Sequence, residues 1–216
     1  MCGINGFTFE NTESIDKMNN LLAHRGPDSS GVYVNEVSLG HTRLKIIDLS
    51  DKAKQPMSDS KNKLFIVFNG EIYNFKELKK ELDYEFISDS DTEVILAAYK
   101  KWGYDCVNHL NGMWAFAIYD KEKNKLFLSR DRLGKKPLYY TFKKGAIIFS
   151  SEIKPLFIHN IKKILNKKAV SSYLSYRYVL GEETMFKDIF KLLPSNNLVF
   201  DIFNKKIERI WEYWNL

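Results

Sequence analysis

A cysteine stands at position 2, between Met1 and Gly3. Once Met1 is removed, that residue carries a thiol and a free α-amine together. Unperturbed, the amine titrates at about 7.7–8.0 and the thiol at about 8.5, so one residue can supply base and nucleophile near neutral pH. Such a device works only if the terminus is held still, and this constrains the fold. Residues 3–9, Gly-Ile-Asn-Gly-Phe-Thr-Phe, alternate loosely and read as a strand that holds Cys2 on a rigid element. Taken alone, a cysteine at position 2 is an ordinary residue, and the remaining chain has to carry the argument.

After that strand, Asn11 or Thr12 caps a helix whose apolar positions are Ile15, Met18, Leu21 and Leu22. It stops near His24-Arg25-Gly26-Pro27. Gly31–Val34 and Val37–Gly40 form a hairpin, Arg43 to Asp48 an extended stretch, and residues 50–62 a polar loop. Leu64–Phe68 is an apolar strand that ends in Asn69-Gly70, a turn dipeptide. One helix follows from Asn74 and a second from Ser90 or Asp91, closing at Trp102-Gly103. Ala115–Tyr119, Lys125–Ser129, Leu138–Phe142 and Ala146–Ser150 read as an antiparallel meander. Glu152–Phe157 reads as a short helix, 166–178 as a longer one, and Asn197–Phe203 with Lys205–Trp211 as a hairpin. Two strand groups and two helix groups predict an α+β fold. Sheet lies on sheet, with helices outside, in a four-layer α-β-β-α sandwich.

The 216 residues, 44% apolar and 28% charged, suffice for one large domain, or one domain with an appendage. Cys2 and Cys106 make no disulfide framework, so a reducing, cytoplasmic setting is expected. No leader pattern and no apolar run of about 18 residues occurs, which argues against secretion and a membrane partner. The net charge of +6 is spread over scattered lysines diluted by acids, with no arginine-rich stripe. It reads as a solvated surface, and no nucleic-acid partner is expected.

Three features ask for a chemical reading. In Asn69-Gly70-Glu71, a side-chain amide beside a glycine N–H could form an oxyanion hole, each donor worth about 3 kcal/mol, against the alternative of a plain turn. Arg43, in His41-Thr42-Arg43-Leu44, could grip a carboxylate through two parallel hydrogen bonds, or be a surface arginine. Asp91 could pair with a substrate ammonium, or merely cap its helix. His24, His41, His109 and His159 lack partners at ligand spacing, so no metal site is expected. No phosphate-cradling glycine loop is present, and Cys106 reads as a small buried apolar residue.

Six stretches in order carry a family resemblance: Met1-Cys2-Gly3-Ile4, His24-Arg25-Gly26-Pro27-Asp28, Gly40-His41-Thr42-Arg43-Leu44, Asn69-Gly70-Glu71-Ile72-Tyr73-Asn74, Ser90-Asp91-Thr92-Glu93 and Ser129-Arg130-Asp131. Together they resemble the glutaminase domain of glutamine-hydrolysing asparagine synthetases, which are class II glutamine amidotransferases of the N-terminal-nucleophile hydrolase fold. The resemblance implies an enzyme that hydrolyses the glutamine side-chain amide with Cys2 as nucleophile, supplying ammonia for asparagine synthesis. Asn69 and Gly70 match the oxyanion hole. Arg43 matches the carboxylate-holding residue, with Leu44, Ile46 and Ile47 in the pocket wall. Glu71 and Asp91 match the groups around the substrate ammonium, and Arg25 a motif that shapes the site.

It further implies a glutaminase core over 1–155 and a C-terminal extension of the same domain over 156–216, leading to an absent synthetase domain. ATP and magnesium are expected only for that second domain, with no cofactor in this chain. The ammonia acceptor stays open between aspartate and another carboxylate, and the assembly between monomer and homodimer. A non-catalytic binding or regulatory module is the alternative, disfavoured by the presence of Cys2, Arg43, Asn69, Gly70 and Asp91.

Overall fold

A computed structural model describes residues 1–215. In chain order the elements are β1 (Gly3–Phe7), α1 (Thr12–Leu22), β2 (Ser29–Val34), β3 (Ser38–Arg43), β4 (Met57–Ser58), β5 (Leu64–Ile72), α2 (Phe75–Glu81), α3 (Asp91–Trp102) and α4 (Cys106–His109). There follow β6 (Gly112–Asp120), β7 (Lys125–Arg130), β8 (Tyr139–Lys143), β9 (Ala146–Ser150), α5 (Lys167–Tyr176), β10 (Phe190–Lys191), β11 (Asn196–Asp201) and β12 (Lys206–Glu212).

Two antiparallel sheets form, in the orders β10-β8-β9-β1-β3-β2 and β12-β11-β7-β6-β5-β4. Alternation along the strands sorts side chains into layers. Ile4, Leu39, Phe149, Val67, Ala117 and Leu128 fill the space between the sheets. Ile66, Phe68, Phe116 and Phe127 face α3 on the outside of the second sheet. Phe7 and Ile148 meet Ile15 and Met18 of α1 outside the first. Each large apolar side chain so buried stabilises the fold by about 1.5–3 kcal/mol. The result is the α-β-β-α sandwich expected.

The caps fall where the sequence puts them. The Asn11 side chain accepts from the Ser14 N–H at 2.8 Å, and that of Ser90 from the Thr92 N–H at 3.1 Å. Helix α3 ends at Gly103, whose φ of 60° suits a residue without Cβ. Four details differ from the sequence reading. Asn69-Gly70 is not a turn: β5 runs on through Ile72, because β6 pairs with it as far as Ile72↔Gly112. The polar loop at 50–62 contains a 3-10 turn, Asp51–Ala53, which buries Ala53, and then β4. The short helix is a 3-10 stretch, Lys154–His159, displaced by two residues because Pro155 favours a first turn.

The fourth difference is the meander, which breaks in the middle. β6 and β7 belong to one sheet, β8 and β9 to the other. The crossing segment is organised by Asp131. Its Oδ2 accepts from the N–H groups of Trp114 (3.2 Å) and Lys136 (2.9 Å), its Oδ1 from those of Leu133 (3.2 Å) and Lys135 (2.9 Å). Arg130 beside it donates to the carbonyls of Gly134, Lys136 and Leu192. A buried carboxylate with its lone pairs filled by N–H donors is a strong local determinant. Residues 190–212 also supply strands to both sheets, with the Ser195 N–H on the Asp131 carbonyl at 2.9 Å.

Asp131→Ala should therefore destabilise the protein by at least about 3 kcal/mol, since several buried N–H donors lose their acceptor at roughly 1–3 kcal/mol each. Urea unfolding followed by circular dichroism measures it, and a change under 1 kcal/mol would remove Asp131 from this role.

Candidate active site

Cys2 lies two residues ahead of Ile4, so its side chain projects into the same inter-sheet space. Strand β1 is flanked by β3 and β9, and the terminus thus emerges from mid-sheet. The Arg25 Nε donates to the Cys2 carbonyl at 3.1 Å, and Arg25 is fixed in turn on Glu152 at 3.0 Å. The Leu44 N–H points at the Cys2 Sγ from 3.4 Å, and the Sγ lies 3.6 Å from the Leu44 carbonyl. Burial pushes the Cys2 thiol up. The Leu44 N–H, the terminal ammonium and Arg43 pull it the other way, with the net shift upward while Met1 is present.

The opposite wall comes from β5. Asn69 shares the inter-sheet face of Phe65 and Val67, is 1% exposed, and its Nδ2 has no hydrogen-bond partner among the described residues. A buried amide donor left open is uncommon and needs an explanation. Gly70 faces Trp114, whose N–H goes to the Asp131 carboxylate and whose carbonyl accepts from the Asp131 N–H at 2.9 Å. Trp114 thus turns both polar groups away from β5. In an antiparallel ladder its partner does likewise, so the Gly70 N–H points to the outer edge of β5. Along that edge the Phe68 N–H is taken by Gln55 Oε1 at 2.6 Å and the Ile72 N–H by Asp91 Oδ2 at 3.0 Å. The Gly70 N–H between them has no acceptor among the described residues. Gly70 must also be glycine, since a Cβ would lie 2.1 Å from the Met113 carbonyl oxygen.

The two walls are joined by His41 on β3, whose Nε2 meets the Phe68 carbonyl at 3.1 Å. Burial pushes this imidazole down to about 3, so it stays neutral and donates from Nε2. Arg43, next along the same face, is buried. Its guanidinium donates to the carbonyls of Ser50 (3.0 Å) and Asp48, which leaves further N–H groups for a ligand. Asp91 opens α3, but Ser90 caps that helix, so the Asp91 carboxylate is free to serve β5. Its carboxyl is raised to about 6, chiefly by burial and with a smaller push from Glu71, while the Ile72 and Thr92 N–H groups oppose the rise.

All nine residues singled out in the sequence, Cys2, Arg43, Leu44, Ile46, Ile47, Asn69, Gly70, Glu71 and Asp91, line one cleft of about 80 Å³. Gln55, Thr92 and Lys136 line it too and were missed. Gln55 sits in a polar loop without a distinguishing motif, Thr92 lies within the Ser90-Asp91-Thr92-Glu93 stretch without a role of its own there, and Lys136 reads locally as a surface lysine. Met1 occupies part of the cleft. No cluster of three or more His, Cys, Asp or Glu suited to a metal ion occurs among the described residues.

Residues 1–214 match the family model for the glutamine amidotransferase domain. The chain belongs to this family. It is 41% identical to an asparagine synthetase homologue of Methanocaldococcus jannaschii over all of this chain and 47% of that protein. It is 38% identical to the glutamine-hydrolysing asparagine synthetase 3 of Bacillus subtilis, over all of this chain and 37% of that one. The domain therefore spans less than half the length of these relatives. In fold it is similar to the glutamine phosphoribosylpyrophosphate amidotransferase of Bacillus subtilis, with a TM-score of 0.71 at 19% identity over 96% of this chain and 49% of that one.

The raised Asp91 carboxyl has a consequence for stability. Between its unfolded pKa near 4 and its folded value of about 6, the folded state binds the extra proton, so stability falls as pH rises through that window. Asp91→Asn removes this penalty and should stabilise the ligand-free domain by about 3 kcal/mol at pH 7.5, with the advantage gone by pH 4. Thermal melts of the two proteins across pH 4–8 check the sign.

Proposed function

We propose that this amidotransferase domain hydrolyses the side-chain amide of glutamine to glutamate and ammonia, with Cys2 as nucleophile. The observation that carries this is the convergence of two unclaimed donors, the Asn69 amide and the Gly70 N–H, on the cleft that holds the Cys2 thiol. After Met1 is removed, the Cys2 amine takes the thiol proton, directly or through a water. The thiolate adds to the amide carbon, and the oxyanion that forms meets the Asn69 Nδ2 and Gly70 N–H. The amide nitrogen is protonated and leaves as ammonia, giving a thioester. Water attacks the thioester, releases glutamate and restores the thiol.

The other end of the cleft suits an amino acid. Arg43 would take the α-carboxylate with its spare N–H groups, and Asp91 and Glu71 the α-ammonium. Leu44, Ile46 and Ile47 would flank the methylenes. An arriving ammonium would return the Asp91 carboxyl toward the ionised form and offset its burial. The sequence similarity to longer asparagine synthetases supports a second domain that receives the ammonia, and we assign the ATP- and magnesium-dependent activation of aspartate to that domain. A reducing cytoplasm suits a free thiol at Cys2.

Three variants test the roles by glutamate release from glutamine. Cys2→Ala should be inactive, and protein that retains Met1 should be inactive because its amine is tied up as an amide. Asn69→Ala should lower kcat about 100- to 1000-fold, since it acts on charge present only in the transition state. Arg43→Ala should act mainly on KM, because the carboxylate it holds is unchanged by the reaction. The reverse split between Asn69 and Arg43 would overturn the assignment.

A further inference from the structure

Of the charged side chains lining the cleft, Arg43, Glu71, Asp91 and Lys136, only the last has no part in the reaction above. Lys136 is 7% exposed, and its Nζ pairs with no carboxylate among the described residues. The polar contact it makes is with the Met1 Sδ, at 3.4 Å. A buried ammonium is costly unless the site uses its charge. The chain also fixes it from both sides: the Lys136 N–H is on Asp131 at 2.9 Å and its carbonyl on the Arg130 Nε at 2.7 Å. Gly134, at φ 63°, turns the backbone within the same segment, and its carbonyl takes the Arg130 Nη2 at 2.7 Å. When Met1 departs, its side chain leaves the Nζ, and the Cys2 α-amine is created in the same cleft.

We propose that Lys136 is a charge-bearing positioning residue for Cys2, its ammonium keeping the new α-amine unprotonated and favouring the thiolate. A like charge disfavours the protonated amine, and an opposite charge favours the thiolate, so both effects lower the pH at which the nucleophile is ready. The other charges around Cys2 come from every wall. Arg25 sits on its carbonyl and Arg43 on β3. Glu71 on β5 and Asp91 on α3 oppose them, while Asp131 beneath Lys136 is engaged by four N–H groups. Burial pushes the Lys136 ammonium down and Arg25 adds to that push, while Asp131, Cys2 and Glu71 draw it back toward the charged form, leaving a net downward shift.

This inference rests on Cys2 as nucleophile, so its test reads the thiol separately from turnover. Met1-processed protein, verified by mass, is treated with iodoacetamide across pH 5–10, and the pH dependence of kcat/KM for glutamine is measured in parallel. Cys106 is fully buried, and peptide mapping confirms that label at Cys2 is what is followed. Lys136→Met should move the rising limb of both profiles to higher pH by about 0.5–1 unit, while Lys136→Arg should keep the wild-type midpoints. Lys136→Gln replaces Lys136→Met if circular dichroism shows that the latter fails to fold. Unshifted midpoints in a folded charge-free variant, or an equal shift in Lys136→Arg, would overturn the role. If wild-type protein alkylates normally yet releases no glutamate, the glutaminase reading fails, and the alkylation profiles still decide the part played by Lys136.

Discussion

The pairing of β1 between β3 and β9 is the constraint on which the cleft depends. A chain terminus ordinarily frays, because nothing holds it on one side. Here Gly3–Phe7 is paired with β3 along one edge, on the other Asn5–Phe7 pair with β9 and Ile4 is held by Ser151, and the Arg25 guanidinium anchors the Cys2 carbonyl. The Cys2 thiol thereby inherits the rigidity of a sheet centre. Fixing it in advance matters for chemistry, since catalytic gain from positioning is lost over displacements of about 1 Å.

The second sheet contributes what the first cannot. A strand fully paired on both sides has no N–H to offer a substrate. β5 has a short neighbour, β4, that pairs only at Ile66 and Phe65, so its outer edge is open from Phe68 onward. Exposed edges invite unwanted pairing. This one is closed by side chains at alternate residues, Gln55 at Phe68 and Asp91 at Ile72, which leaves Gly70 between them. Asn69, on the neighbouring face, adds its amide. The His41 contact to the Phe68 carbonyl then sets the spacing between sheets, so donors and thiol are registered against each other by one neutral imidazole.

Much of the fold was legible because its signals are local and repeated. Apolar runs marked β5, β6 and β9; Asn11, Ser90 and Gly103 marked the limits of two helices. The errors lie where a distant interaction overrides a local one. Asn69-Gly70 carries a strong turn signal, yet β6 pairing extends the strand through it. The division of the meander depends on the Asp131 carboxylate gathering donors from Trp114 and from the crossing segment, and no spacing rule exposes that. For the site, periodicity could not join Cys2, Arg43, Asn69 and Asp91; a family pattern could. It failed for Gln55 and Lys136, whose residue types ordinarily lie on the surface and whose placement is a product of tertiary structure.

Asp131 shows how the site is tied to the end of the domain. Its carboxylate fixes Trp114, which turns the Gly70 N–H outward, and fixes Lys136, which meets Met1. Its own carbonyl accepts from Ser195, whose carbonyl in turn accepts from Tyr213, and the Tyr213 hydroxyl returns to the Arg130 carbonyl at 2.9 Å. Trp114 and Tyr213 stack at 6.1 Å between ring centroids. Residues 195–213 are thus part of the frame behind Asn69 and Gly70. A displacement of this last segment would be felt at Gly70 and Lys136 through two hydrogen bonds, because a packed interior shifts in discrete steps and transmits strain.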